Sequence, residues 1–210
     1  MRARMALAAS GIGVELREII LRDKPAHMLA LSAKGTVPVL WLDGGAVIDE
    51  SREIMQWALA QNDPWGWLDR LDTARVDAFD DRFKHHLDRY KYASRYADEA
   101  LTASGHRDIC QDMLAEVESA LSDDWLGGGQ PGFTDIAILP FVRQFRIADS
   151  AWFDSQMELP KVQDWLMRFL DWPVFLAVMQ KYDLWQPNNQ GELFCPSFKS
   201  LETWRSLNAK

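Results

Sequence analysis

Cysteine is scarce in this 210-residue chain. Cys110 and Cys195 are the only two, far apart and in no metal-ligand or disulfide spacing. Such usage suits a reducing compartment, so the expected location is the cytoplasm. Basic charge is also short, with 23 Lys and Arg against 31 Asp and Glu, a net charge of −8 and a pI near 5.0. That balance argues against nucleic acid as a partner, because phosphates demand a basic face. Long apolar runs are missing as well. The longest, residues 136–142, is far below the roughly 20 residues that cross a bilayer, so no membrane partner is expected. The start imitates a secretory leader, with Arg2 and Arg4 before an apolar stretch. The stretch is short, however, and Ala3, Leu7 and Ser10 fall at helical spacing with Gly11 as a stop, which favours a first helix.

What is present is most informative between residues 36 and 51. Residues 37–42 form a β-branched, apolar run with Pro38 near its start, where a strand tolerates proline. Asp43-Gly44-Gly45 supplies a hairpin, and residues 46–49 return as a second strand. Glu50 and Ser51 then open an amphipathic helix, bringing a carboxylate, a hydroxyl and unpaired N–H groups to a terminus of the kind that binds carboxylates. A cis Val37–Pro38 peptide would expose the backbone N–H and C=O of Val37 to an extended ligand. Alone, Glu-Ser at a helix start is an ordinary capping pair; the neighbouring Val-Pro strand is what favours a site. Upstream, residues 14–21 alternate and then become wholly apolar, as a half-buried strand would.

Strand, Asp23-Lys24-Pro25, helix, Val37-Pro38, hairpin and Glu50-Ser51 together resemble the N-terminal, thioredoxin-like domain of the glutathione S-transferase superfamily, in the flavour of its omega-like bacterial members. The resemblance runs to about Pro187. It implies a thioredoxin-like α/β domain over residues 1–62, possibly incomplete, a linker over 63–70, an all-α helical bundle over 71–187 and an irregular tail over 188–210. It also implies glutathione as co-substrate, a small electrophile or disulfide as second substrate, a homodimer, no metal and a detoxifying role. By resemblance, Val37 and Pro38 pair with the cysteinyl part of glutathione, Glu50 and Ser51 hold the γ-glutamyl amine and carboxylate, and Lys24 reaches the glycyl carboxylate. The implied chemistry is glutathione conjugation or glutathione-dependent thiol exchange. The alternative is a noncatalytic, transferase-like interaction module or an inactive truncated form.

One departure bears on mechanism. Relatives of this kind place a first strand and a Cys-Pro-Tyr-Ala or similar motif before a helix that reads like residues 1–7, so no catalytic nucleophile carries over and Met1 is expected to be an internal methionine of a longer protein. The family's strand order would set that first strand between residues 14–21 and 37–42. With strands about 4.8 Å apart, its absence leaves those two too distant to pair. A partner chain's strand, a swapped segment or a new register would have to satisfy the edges. Cys195 offers a thiol but nothing that would lower its pKa.

After residues 62–67 the pattern turns helical. Val76, Phe79, Phe83, Leu87 and Tyr90 recur on one face of a long helix, and Cys110, Leu114, Val117 and Leu121 on the face of a second that should pack against it. A Gly-rich break over 127–132 precedes an apolar helix from Asp135 to about Ala148, with Gly132 and Asp135 in the positions of a capping box and Thr134 as a rival cap. His85 and His86 point about 100° apart on a helix and cannot readily share one ion, so they read as a solvated or subunit-facing surface. Tyr92, Arg95 and Tyr96, one turn apart, are expected by resemblance to border the electrophile pocket. Trp152, Trp165 and Trp172 read as core, and Trp65 and Trp67 as a seal at the linker.

Overall fold

The computed structural model of the chain describes residues 1–187 and 189–194. Two compact units emerge, one formed by Met1–Gly66 with the chain from Pro173 onward, the other by Trp67–Trp172.

The first unit opens with α1 (Arg2–Ser10), whose small and apolar side chains from Met5 onward are all buried. Gly11 ends it in the left-handed conformation, φ 72°, which costs glycine nothing and returns its N–H to the last carbonyls. Then come β1 (Val14–Leu16), α2 (Ala26–Leu31), β2 (Leu40–Trp41), β3 (Val47–Ile48) and α3 (Ser51–Gln61). Ile54, Met55, Ala58 and Leu59 form the buried stripe of α3, which packs on α1. The strands are shorter than the sequence pattern suggests: β1 stops at Leu16, leaving isolated bridges at Glu18 and Ile20, and the hairpin pairs only Leu40 with Ile48 and Trp41 with Val47. As expected, β1 and β2 do not pair with each other.

The second unit begins with a 3-10 turn, Leu68–Arg70, and α4 (Thr73–Ala78), capped by Asp72, whose carboxylate accepts from the Arg75 N–H at 3.0 Å. The single long helix anticipated over residues 76–90 carries a π-helical turn at Phe79–Phe83 before continuing as α5 (Lys84–Lys91). Val76, Phe79, Phe83 and Leu87 are buried nonetheless, with Phe79 and Phe83 stacked at 4.5 Å. α6 (Ala103–Ala120), capped by Thr102, packs on α5 through the predicted Cys110, Leu114 and Val117 face. α7 (Phe133–Ala148), α8 (Ser150–Ser155) and α9 (Pro160–Leu170) complete the unit, with Trp165 and Trp172 buried and Trp152 half-buried. No helix among the described residues is long and apolar enough to cross a membrane.

At the start of α7, Asp135 accepts from Gly132 N–H at 2.9 Å, as the spacing predicts, and also from Leu126 N–H, Gly127 N–H and Trp165 Nε1 at 2.8, 3.3 and 2.9 Å. Gly132 is more than a tolerable cap, because a Cβ there would lie 2.3 Å from Arg70 Cβ. Thr134 is not a cap. Its hydroxyl donates to Arg70 O at 3.0 Å and accepts from Asp72 N–H at 2.7 Å, tying the preceding turn to α7.

At α10 (Pro173–Val178), which packs on α1, the chain returns to the first unit. The tail read as irregular from the sequence forms β4 (Glu192–Phe194), antiparallel to β1 with Val14 opposite Phe194 and Leu16 opposite Glu192. Phe194 is buried, Gly191 N–H donates to Glu15 Oε1 at 2.9 Å, and Trp185 N–H donates to Glu18 O at 2.9 Å. Gly191 is needed for this approach, since a Cβ would sit 2.5 Å from Leu16 O. Cys195 lies outside the described residues.

Candidate functional site

The Val37–Pro38 peptide is cis, with Val37 well exposed just before β2. The β2–β3 hairpin carries the chain from there to Glu50, extended at φ −113° and ψ 132°, and Ser51 opens α3. Because α1 packs on α3, Arg2 at the start of α1 reaches this terminus. Its Nε and Nη2 donate to Ser51 Oγ at 3.0 and 2.9 Å. A hydroxyl has two acceptor lone pairs and one proton, so with both lone pairs engaged Ser51 is left as a donor. The guanidinium charge strengthens that donor, and the N-terminal end of α3 adds positive potential of the same sense.

Glu50 faces a different partner. Lys34 Nζ lies 2.7 Å from Glu50 Oε1 and 3.5 Å from Asp49 Oδ1, and these carboxylates push the lysine pKa up. Ser32, buried, donates to Asp49 Oδ2 at 2.9 Å. Arg2 and Lys34 were not singled out by the sequence. Arg2 lies 49 residues from Ser51 and reads locally as part of a leader-like start; Lys34 precedes Glu50 by 16 residues in a loop without periodicity. Lys24 is half-buried just before Pro25, the cap of α2.

Tyr92, Arg95 and Tyr96 do not share one helix face, contrary to the spacing argument. α5 ends at Lys91, Tyr92 leaves helical geometry at φ −119° and ψ 40°, and Ala93–Arg95 form a 3-10 turn. Tyr92 is covered by the Arg95 guanidinium at 4.4 Å and by Lys91 at 4.9 Å. Tyr96, under Arg89 at 4.5 Å, lines a cavity of about 240 Å³; Tyr92 and Arg95 do not. The surface reading of His86 also changes, because its Nδ1 lies 2.7 Å from Nδ1 of the buried His106. Among the described residues no group of three or more His, Cys, Asp or Glu is placed to hold a metal ion. Cys110 is buried against Phe83 O, and burial pushes its thiol pKa up to about 12.

Residues 1–61 match the family model for the glutathione S-transferase N-terminal domain, and residues 74–168 match the one for the C-terminal domain. The chain belongs to the glutathione S-transferase superfamily. Among curated relatives, it is 27% identical over 188 residues to glutathione S-transferase U19 of Arabidopsis thaliana, covering 81% of this chain and 80% of that protein. It is 26% identical over 169 residues to maleylacetoacetate isomerase of Pseudomonas aeruginosa, covering 72% and 80%. A glutathione transferase family member from Pseudomonas fluorescens, solved with two glutathione molecules bound, superposes with a TM-score of 0.68 at 15% identity over 84% of this chain and 86% of that one. A glutathione S-transferase from Xanthobacter autotrophicus superposes at 0.63 and 22% identity over 82% and 87%. This transferase therefore has the family's fold, a small thioredoxin-like α/β domain with few strands followed by a helical domain.

Proposed function

We propose that this transferase binds glutathione along the cis Val37–Pro38 edge and at the Ser51 end of α3, and uses it as co-substrate toward a small electrophile or disulfide. The observation that carries the reading is Ser51, made an obligate donor by two hydrogen bonds from Arg2. Such a donor selects an acceptor, and the γ-glutamyl carboxylate is the acceptor at that end of glutathione. Glu50 takes the neighbouring ammonium, displacing Lys34, while the Val37 N–H and C=O pair with the cysteinyl peptide as an added strand would. Lys24 takes the glycyl carboxylate, and Tyr92, Arg95 and Tyr96 border the electrophile pocket.

In conjugation, the glutathione thiolate forms the new C–S bond, the leaving group departs with its electron pair, and the thiol proton passes to solvent. In thiol exchange, the thiolate attacks one sulfur of a disulfide and expels the other as thiolate. Cys110 supplies no nucleophile, since its buried thiol keeps its proton at neutral pH. A homodimer in the cytoplasm, with a detoxifying role, completes the reading.

Calorimetric titration with glutathione tests it. Saturable binding is expected, weakened about tenfold in Ser51→Ala, the equivalent of roughly 1.4 kcal/mol for a charge-assisted hydrogen bond. Heats no larger than dilution would remove the proposal. A second reading, a noncatalytic module, is favoured by one observation: the described part of the first unit holds no thiol. Retention on immobilised glutathione with elution by free glutathione, but no turnover of any electrophile or disulfide, would select it.

A further inference from the structure

In the first unit, the loop that leads from α2 to the cis Val37–Pro38 peptide is tied down on both sides of Lys34. Ser32 is buried and donates to Asp49 Oδ2 at 2.9 Å, and Gly35 N–H closes a turn onto Ser32 O at 3.0 Å. Between these anchors the Lys34 side chain crosses to the exit of the hairpin. Its Nζ donates to Glu50 Oε1 at 2.7 Å and lies 3.5 Å from Asp49 Oδ1. The free chain thus seats an ammonium of its own on the carboxylate that faces the γ-glutamyl ammonium in the glutathione reading.

We propose that Lys34 is a specificity-determining residue, an internal competitor for Glu50 that lets this site take a γ-glutamyl-type thiol without its amine nearly as well as glutathione itself. The inference rests on the glutathione reading and deepens it. Seating glutathione exchanges one ammonium for another on Glu50. Both carry one positive charge and three N–H donors, so one ion pair breaks for each that forms. Lys34 and Glu50 are each about half exposed, and a pair of that kind is worth a factor of about five at most. The exchange cancels most of that factor. A ligand without the amine leaves Lys34 where it is and Glu50 paired.

The carboxylate end is indifferent to the exchange. Ser51 is held by Arg2 and not by Lys34, so its hydroxyl meets the carboxylate of either ligand in the same state. Were Lys34 removed, the ligand amine would meet Glu50 uncontested and its full contribution would appear. All of these residues lie within the first unit.

Calorimetric titration of the full chain tests this with glutathione and with glutaryl-cysteinyl-glycine, which is glutathione lacking only the amine. Losing a positive charge at Lys34 shifts both ligands, since both carry carboxylates, so the ratio of the two affinities is the quantity to read. The native chain should prefer glutathione by no more than about threefold, and Lys34→Met should raise that preference at least threefold further. Lys34→Arg, which keeps the charge, should return the native ratio. A native preference of tenfold or more would overturn the inference, as would a ratio that Lys34→Met leaves unchanged or lowers, and the glutathione reading would stand in each case. Heats no larger than dilution for glutathione in the native chain and in both variants would remove the glutathione reading and the inference together.

Discussion

Two acidic side chains mark the N-terminal ends of helices in the two units, Asp135 at α7 and Glu50 at α3, and their surroundings are opposite. Asp135 is fully buried and accepts four hydrogen bonds from its own chain. Burial pushes its pKa up while those donors hold it down. Glu50 is about half exposed and meets the exposed Lys34, beside a serine whose oxygen accepts twice from Arg2. One terminus is satisfied internally and serves the fold. The other keeps donor and acceptor capacity unspent, which is what a ligand site needs.

Breaking the saturated terminus should have the largest effect. Asp135→Ala strands four donors, three backbone N–H groups and the Trp165 indole, and is expected to cost about 3 to 5 kcal/mol of stability in urea denaturation. A loss under 1 kcal/mol would mean that the terminus is not held as described. Gly132→Ser, a better cap in an open helix, should instead destabilise by about 1 to 3 kcal/mol because its Cβ meets Arg70. Stabilisation would show that Arg70 gives way easily.

At the open terminus the same kind of substitution should barely move stability but change affinity. Arg2→Ala is expected to weaken glutathione several-fold by freeing Ser51 to turn its proton inward, with a stability change within about 0.5 kcal/mol. Equal losses in both measurements would make Arg2 a structural residue only. Lys24→Ala should also weaken glutathione several-fold, and unchanged affinity would take Lys24 out of the site.

The last contrast is a pH dependence. The folded chain holds the Cys110 proton up to about 12, while the unfolded chain releases it near 9. A raised folded pKa contributes stability that is complete below 9 and is lost as pH rises toward 12, at about 1.4 kcal/mol per pH unit. Denaturation at pH 8, 9 and 10 should therefore show a slope in the native sequence that Cys110→Ala lacks. Parallel curves would assign the alkaline loss to other groups.

The same contrast explains what the sequence made legible. Asp135 and Gly132 stand three residues apart, and Val76, Phe79, Phe83 and Leu87 keep one face through local periodicity, so both were readable. The π turn was not, because one extra residue per turn leaves the same side chains facing inward. Tyr92-Ala93-Ser94 carries no glycine or proline to announce the end of α5, which is why Tyr92, Arg95 and Tyr96 were expected on one helix face. The Val37-Pro38 and Glu50-Ser51 motifs were legible as local units. Arg2 on Ser51, Arg70 against Gly132 and β4 against β1 join residues 49 or more apart, and nothing in the local pattern encodes such meetings.

The pairing of β1 with β4 has a consequence for synthesis. Glu15 leaves the ribosome 176 residues before its neighbour Gly191. At about 5 to 20 residues per second, β1 waits on the order of ten seconds or more for that partner. The helical unit, Trp67–Trp172, is complete in sequence before β4 exists. β1 thus emerges before the helical unit and meets β4 after it, and until then the edge that β4 will cover is of the kind that recruits strands from other chains.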